Sequence, residues 1–406
     1  MSIFSEVPPT AGFPIHLKDL FSFNQAGSLE KDFSDYLGVD FARVTYSGTA
    51  AFFLILESLK NLSPKKTVVI SSYICPLVAL AVKRAGLKIR VCDIEKESFN
   101  FDYACLEKIC REDDDILAVV AVHLAGVPIE LKKIILLAKE KKFFLIEDCA
   151  QGLGAEIEGK KIGTFGDFSF FSLCRGKGLT IYEGGVLVAK DKNHFEIIDN
   201  KIKELVKSDF ISESLKKIEL IGYSIFYRKQ LFWFIFSLPQ VFWNVLGNKD
   251  KAMIEYFSEN FPIHTVSDFR KNIGHKEFLR LDSEIYRQRE KALYYLEEFS
   301  KVKGLKPVSE FSGSKATHPY LTLIFDDYFK RDKALRYLLR SGLGASTIYN
   351  CAITDYGYLR SFVPDENSFN ARYISARGIT LSTSTFISLR EQKEVAKRIL
   401  FVLNNS

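Results

Sequence analysis

Lys177 stands between two glycines in "FSLCRGKGLTIYEGG" (171–185), directly after an apolar run. Flanking glycines let the backbone approach a ligand closely, and an amine held in such a turn can condense with an aldehyde. Asp148 ends a second apolar run, "FFLIED". A carboxylate there is costly to bury unless a cation or donors pair with it, and a protonated pyridine nitrogen would serve. In "YSGTAAFFL" a small-residue turn, Ser47 to Thr49, opens a helical pattern, where free N–H groups and the helix dipole favour phosphate. An amine for an aldehyde, an acid for a ring nitrogen and an anion site are together what pyridoxal phosphate requires. Each feature alone has a plain counterpart: a solvated lysine, a turn aspartate, an ordinary helix start. Specificity comes only from all three in this order along one structural pattern.

That pattern is an alternation of short apolar runs and helix-like segments from residue 40 to 190. Strands are predicted at "TVVISS" (67–72), "KIRVCD" (88–93), "ILAVVAVH" (116–123), "FFLIED" (143–148), "DFSFFSL" (167–173) and "GVLVAK" (185–190). The segments "AAFFLILESLKN", "PLVALAVKRAG" and "IELKKIILLAKEKK" between them have the length of crossover helices. The expectation is an α/β fold whose large domain carries a mainly parallel sheet flanked by helices. Ligands then bind outside the carboxyl ends of the strands, where His123, Asp148 and Ser172 fall. "DFRKNIGHKEFLRLDSEIYRQREKALYYLEEF" reads as one long charged amphipathic helix, followed by a smaller α+β region. We expect a large domain over 1–260 and a small C-terminal domain over 261–406.

Composition narrows the classes. The chain has 406 residues, 47% hydrophobic and 26% charged, as in folded globular proteins. Fifty-six Lys and Arg against 50 Asp and Glu leave a net charge of +6, too little over this length to imply nucleic acid. The seven cysteines lack CxxC spacing or histidine partners, which points to a reducing cytoplasm and to no metal site. The N-terminal stretch "MSIFSEVPPTAGFP" has no basic region followed by an apolar core, so no secretory signal is expected.

Several blocks resemble the DegT/StrS type of sugar aminotransferases: "YSGTAAFFLILESL", "VHLAGVPIELKKI", the stretch "IEDCAQGLGAEIEGKKIGTFGDFSFFSLCRGKGLTIYEGGVLVAKD", and "VSDFRKNIGHKEFLRLDSEIYRQRE". The resemblance runs over roughly 25–195 and 260–400. It implies a fold-type I enzyme that uses pyridoxal 5'-phosphate and works as a homodimer with sites at the subunit interface. Position by position, it makes Lys177 the residue that holds the cofactor aldehyde and Asp148 the partner of the pyridine nitrogen. Gln151 would lie near the ring hydroxyl, and Ser172 with Gly48, Thr49 and Ala50 would hold the phosphate. Tyr73 matches the aromatic position that stacks on the ring, with core packing as the alternative, and His318 falls where the family often has a substrate-side histidine. The implied reaction passes an amino group from a donor, glutamate, to a keto-sugar on a nucleotide carrier, for surface polysaccharide or secondary metabolites. A lysine at 177 disfavours the dehydratase branch of the family, which has histidine there. The alternatives are a transaminase of another keto substrate, such as a lipid-linked one, and a cofactor-binding regulator without catalysis.

Two stretches depart from the family. Ile263 stands where an asparagine commonly reaches the partner subunit's phosphate, with His264 as the candidate stand-in. Residues 195–260 are longer and more aromatic than the family pattern and include both tryptophans, Trp233 and Trp243. The apolar run 231–246 would span only about 24 Å as a helix, short of the roughly 30 Å of a hydrocarbon core. Two readings of 218–246 follow: a peripheral contact with the inner face of the membrane, its basic residues toward anionic lipid, or burial as interface and core. Arg175, beside the lysine, is either solvated or a contact for an anionic acceptor.

Overall fold

The computed structural model describes residues 5–21, 27–239 and 257–405. Fourteen strands are assigned among them. Those of the large sheet are β1 (Phe41–Thr45), β2 (Thr67–Ser71), β3 (Lys88–Cys92), β4 (Ile116–Val122), β5 (Phe144–Asp148), β8 (Phe168–Ser172) and β9 (Gly185–Ala189). Their order is β1-β9-β8-β5-β4-β2-β3. β2 to β5 and β8 run parallel, while β9 is antiparallel to both β8 and β1. The six strands expected from apolar runs lie within a residue or so of their predicted bounds, because strands covered on both faces carry continuous apolar sequence. β4 is buried at every position. β1 escapes that signal: its residues alternate unevenly between buried and half-buried, and Arg43 leaves the strand to pair with Asp199 at 3.0 Å.

Two short strands, β6 (Glu156–Ile157) and β7 (Lys160–Lys161), form a three-stranded ribbon with β11 (Ser314–Lys315). The remaining strands, β10 (Leu305–Pro307), β12 (Tyr320–Phe325), β13 (Ala345–Ser346) and β14 (Gly378–Ser382), make an antiparallel sheet in the order β10-β12-β14-β13. Its core packs Leu321, Leu323 and Phe325 against the helices Leu281–Phe299, Tyr328–Leu339 and Leu389–Asn404.

The single long helix expected after 267 is two helices, Asp268–Phe278 and Leu281–Phe299. The break has a polar cause that periodicity does not carry. The guanidinium of Arg280 reaches the Asp19 carboxylate at 2.7 Å, and the Lys276 ammonium donates to the Asp19 carbonyl at 2.9 Å. Ile273, Leu281 and Ile285 join Phe33, Phe171 and Val186 in one apolar cluster, so packing against the large sheet continues past residue 260.

The aromatic stretch contains the helices Lys192–Leu205, Phe210–Phe226 and the single turn Phe232–Ile235. Helix Phe210–Phe226 divides its faces. Leu220, Tyr223 and Ser224 are buried, whereas Phe210, Ile211, Leu215, Ile218 and Ile225 are exposed. Residues 240–246 of the stretch, with Trp243, lie outside the described residues. No described helix is long and apolar enough to cross a membrane.

Candidate active site

Lys177 lies on the loop between β8 and β9, and local bonds shape that loop. The Leu173 N–H donates to Gly184 O and the Arg175 N–H to Tyr182 O, both at 2.8 Å, while the Lys177 N–H closes a turn onto Cys174 O at 3.1 Å. Gly176 has φ +77°, a conformation L side chains rarely adopt. Gly185 meets a different demand: a Cβ there would lie 2.4 Å from the Gly48 nitrogen, so only glycine lets β9 pass beside the helix start.

That start belongs to helix Gly48–Leu62. Ser47 caps it, its hydroxyl accepting from the Ala50 N–H at 3.0 Å, and the Ala51 N–H donates to Ser47 O at 2.9 Å. Of the three positions expected to bind phosphate, Ala50 therefore spends its N–H within the chain. Gly48 and Thr49 retain theirs without an acceptor among the described residues. A Cβ on Gly48 would sit 3.2 Å from the Ser172 Cβ, which puts the helix start and Ser172 side by side. The two pieces of the expected anion site, 124 residues apart in sequence, thus meet at the carboxyl end of β8.

Ser172, Lys177, Gln151, Arg175, Tyr320 and Tyr349 line one cavity. The Gln151 carbonyl oxygen accepts from the Ala125 N–H at 2.8 Å and from the Tyr320 hydroxyl, which leaves its amide NH2 to donate. Asp148 lies behind, 4% exposed, and its carboxylate accepts a bond from the Ala150 N–H at 3.0 Å. Burial pushes its pKa up to about 6; the Ala150 N–H, the Lys177 charge and the nearby His123 hold it from going further. A carboxylate this poorly compensated suits a cationic partner, and a protonated ring nitrogen is one.

Beside it, Glu147 is fully buried yet ionised. Burial raises its pKa, but His123 and backbone N–H groups outweigh that and bring it below the ordinary carboxylate value. It accepts from the N–H groups of Gly163, Phe165 and Gly166 at 2.7–2.8 Å and faces His123 Nε2 at 3.2 Å. His123 Nδ1 accepts from the Ile129 N–H at 3.2 Å, so Nε2 carries the proton given to Glu147. His123, Glu147 and Cys149 lie close enough to resemble a metal triad. The histidine and the carboxylate are instead engaged with each other and with backbone, bracing the ends of β4 and β5.

Tyr73 is buried, and its hydroxyl donates to Tyr349 O at 3.1 Å; the two rings meet edge to face at 5.3 Å. It anchors the cavity wall from behind. His318 does not reach the cavity: Thr317 and Pro319 line it, while the His318 ring is turned inward and buried. Its φ of 49° reverses the chain at that residue, and neither ring nitrogen has a hydrogen-bond partner among the described residues. Burial lowers its pKa to about 4, with Glu310 pulling the other way. His264, the candidate for the missing asparagine, is spent inside its own chain. Nδ1 donates to Thr265 O at 3.0 Å and Nε2 faces the Ser212 hydroxyl at 2.9 Å.

Sequence reasoning missed two contributors. Tyr320, on β12, and Tyr349, in the loop after β13, carry no local motif. The segment Thr10–Phe13 straps across the lysine loop: Phe13 N–H donates to Gly178 O and Ala11 N–H to Pro319 O, both at 2.8 Å. Tyr227, from just beyond the aromatic helix, accepts from the Gly12 N–H at 3.1 Å and donates to Thr10 O at 2.9 Å. The run PPTAGFP (8–14), with proline and glycine close together, is the local signal that could have marked a turn there.

A seven-stranded α/β sheet with one reversed strand thus brings a glycine-flanked lysine, a buried carboxyl at a strand end and a bare helix start to one edge. The chain belongs to the DegT/DnrJ/EryC1/StrS aminotransferase family, whose model matches residues 18–217 and 245–400. It is 31% identical over 173 residues to GDP-perosamine synthase of Escherichia coli O157:H7, covering 43% of this chain and 47% of that protein. It is 32% identical over 215 residues to UDP-4-amino-4,6-dideoxy-N-acetyl-beta-L-altrosamine transaminase of Campylobacter jejuni, covering 52% and 55%. The matches thus span about half the length of these relatives. In fold it is similar to Helicobacter pylori PseC, an aminotransferase involved in the biosynthesis of pseudoaminic acid, with TM-score 0.75, 18% identity and 99% of each chain covered.

Proposed function

We propose that this chain is a pyridoxal phosphate-dependent aminotransferase that moves an amino group from glutamate to a nucleotide-linked keto-sugar, for surface polysaccharide or secondary-metabolite synthesis. The observation that carries this reading is Lys177 in one cavity with Ser172 and Gln151, beside a buried Asp148 whose carboxyl lacks a full partner. When bound, the cofactor supplies an electron sink for the carbon that loses its proton. The chain's residues do the rest. Gly48 and Thr49 N–H groups and the Ser172 hydroxyl hold the phosphate, Asp148 keeps the ring nitrogen protonated, and Gln151 donates to the ring oxygen. Lys177 Nζ takes and returns the proton at the substrate carbon. Because one cavity serves both substrates in turn, the kinetics are ping-pong.

Arg175 is assigned to the acceptor. Its side chain is exposed at the cavity mouth, 5.4 Å from the Tyr182 ring centroid, and makes no salt bridge among the described residues. A guanidinium so placed suits the diphosphate of a nucleotide sugar. The chain is proposed to act as a homodimer in the cytoplasm, whose reducing conditions suit seven unpaired cysteines.

The test is the visible absorption of purified protein with added pyridoxal phosphate, for wild type and Lys177→Ala. Identical spectra, with no cofactor fixed to Lys177 by borohydride, defeat the assignment. Bleaching of the band by glutamate identifies the donor, and a panel of nucleotide keto-sugars that restores it identifies the acceptor.

A further inference from the structure

Resting on the assignment of Arg175 to the acceptor, we propose that Tyr182 is its positioning residue: the Tyr182 ring holds the Arg175 guanidinium at the cavity mouth, charged and uncommitted, to receive a nucleoside diphosphate. Tyr182 has φ +71°, in the left-handed region that glycine occupies freely and a bulky side chain enters only at a cost. Surrounding bonds fix that conformation. The Tyr182 N–H donates to the Thr180 hydroxyl at 3.0 Å, its carbonyl accepts from the Arg175 N–H at 2.8 Å, and Arg270 holds the carbonyls of Ile181 and Glu183 on either side. Glycine would make the same backbone bonds without the cost, so the tyrosine is kept for its ring.

The Arg175 guanidinium lies over that ring, 5.4 Å from its centroid, and the Lys216 ammonium lies 5.5 Å from it. Tyr223 braces the same ring edge to face, with centroids 6.2 Å apart. Lys216 and Tyr223 both belong to helix Phe210–Phe226, which ties the aromatic stretch to the mouth of the cavity. The family model stops at residue 217 and resumes at 245, so the Tyr223 brace lies outside the matched pattern.

The charges of this corner are arranged to leave Arg175 free. Glu183 and Glu219 are near enough to attract it, but Lys216 takes both, at 2.9 Å and 2.8 Å. A carboxylate on Arg175 would compete with an incoming phosphate. An aromatic face holds a guanidinium without neutralising it, and the N–H donors stay available for paired bonds to phosphate oxygens. Tyr182 thus fixes Arg175 twice, by its carbonyl on the backbone and by its ring on the side chain.

The test is calorimetric titration of the full chain, saturated with pyridoxal phosphate, with UDP and with GDP. Wild type is expected to bind at least one of them. Arg175→Gln and Tyr182→Gly should each weaken that binding about tenfold, and the double variant no further than either single one. Tyr182→Phe, which keeps the ring, should bind as wild type does. Tyr182→Gly and Tyr182→Asn should keep Tm within about 2 °C of wild type or above it, because relief of the left-handed backbone offsets the lost ring contacts. Glutamate should bleach the cofactor band of both at the wild-type rate. Tyr182→Gly that binds like wild type, while Arg175→Gln does not, overturns the role of Tyr182 and keeps Arg175 on the acceptor. Losses that add in the double variant, or a Tyr182→Phe as weak as Tyr182→Gly, overturn positioning by the ring. A lowered Tm with bleaching slowed as much as binding is weakened makes the ring merely structural and also overturns it. A wild type that binds neither nucleotide overturns both this role and the diphosphate reading of Arg175, while the lysine assignment stands or falls on its own spectrum.

Discussion

At the residue scale, the two buried carboxyls of the loop region give opposite tests. Asp148 has its pKa raised to about 6 by burial, so in the cofactor-free protein it becomes neutral as pH falls through that value. A neutral acid no longer pairs with a ring cation, and cofactor affinity is expected to drop below pH 6. A fluorescence titration across pH 5–8 measures this; Asp148→Asn should bind weakly at every pH and lose the dependence. In transamination, Asp148→Ala is expected to lower kcat by at least ~10²-fold with the fold intact. Glu277 is unrelated to chemistry. Burial raises its pKa to about 8, against the Thr180 N–H bonded to it at 3.1 Å, and its other oxygen has no partner among the described residues. Its folded pKa lies above the unfolded value, so the native state keeps a proton that the unfolded state has lost. Stability therefore falls as pH rises from about 4.5 to about 8. At about 1.4 kcal/mol per pH unit the upper bound is about 5 kcal/mol. Glu277→Gln should flatten this loss and raise Tm at pH 9, while leaving Tm at pH 4.5 little changed.

At the element scale, the loop after Lys177 is held by a buried ion pair. Arg270, 0% exposed, grips Glu213 of the aromatic helix with two bonds of 2.6 Å and also donates to the carbonyls of Ile181 and Glu183. Removing one partner strands a buried charge, so Arg270→Ala is expected to cost about 3–5 kcal/mol by urea denaturation. Arg270→Met with Glu213→Leu should recover much of that loss. Gly12→Ala is expected to disturb the same region, because a Cβ would lie 2.7 Å from the Tyr223 hydroxyl oxygen and 3.0 Å from the Gly176 Cα. Loss of cofactor affinity ahead of global unfolding would report it. Elements were legible in proportion to how local their cause is. Six strands of the large sheet and the strand-end position of Asp148 follow from apolar runs. The kink before Leu281 depends on Asp19, and the orientation of His318 on a left-handed backbone, neither of which periodicity encodes. The place of Arg270 was equally hidden, since its partner lies 57 residues upstream.

At the scale of the whole molecule, the cavity is a meeting of distant parts: the large sheet and its loops supply Lys177, Ser172 and Gln151, while β12 supplies Tyr320 and the loop after β13 supplies Tyr349. If Arg175 serves the acceptor alone, Arg175→Gln should raise the acceptor KM about tenfold or more while glutamate bleaches the cofactor band at the wild-type rate. Equal losses in both half-reactions would instead place Arg175 on the donor.

The strap over the lysine loop also has a history in time. Pro8 O accepts from the Ser382 hydroxyl, 374 residues along the chain, and Val7 N–H donates to Gly342 O. At roughly 5–20 residues per second, a ribosome needs on the order of tens of seconds between making one end of these bonds and the other. For the later part of that interval, the 205 residues between Lys177 and Ser382, the Lys177 loop exists while the strap still lacks these two bonds. Docking of the strap is the natural last step of folding, and a newly made chain meets its cofactor more easily than a finished one.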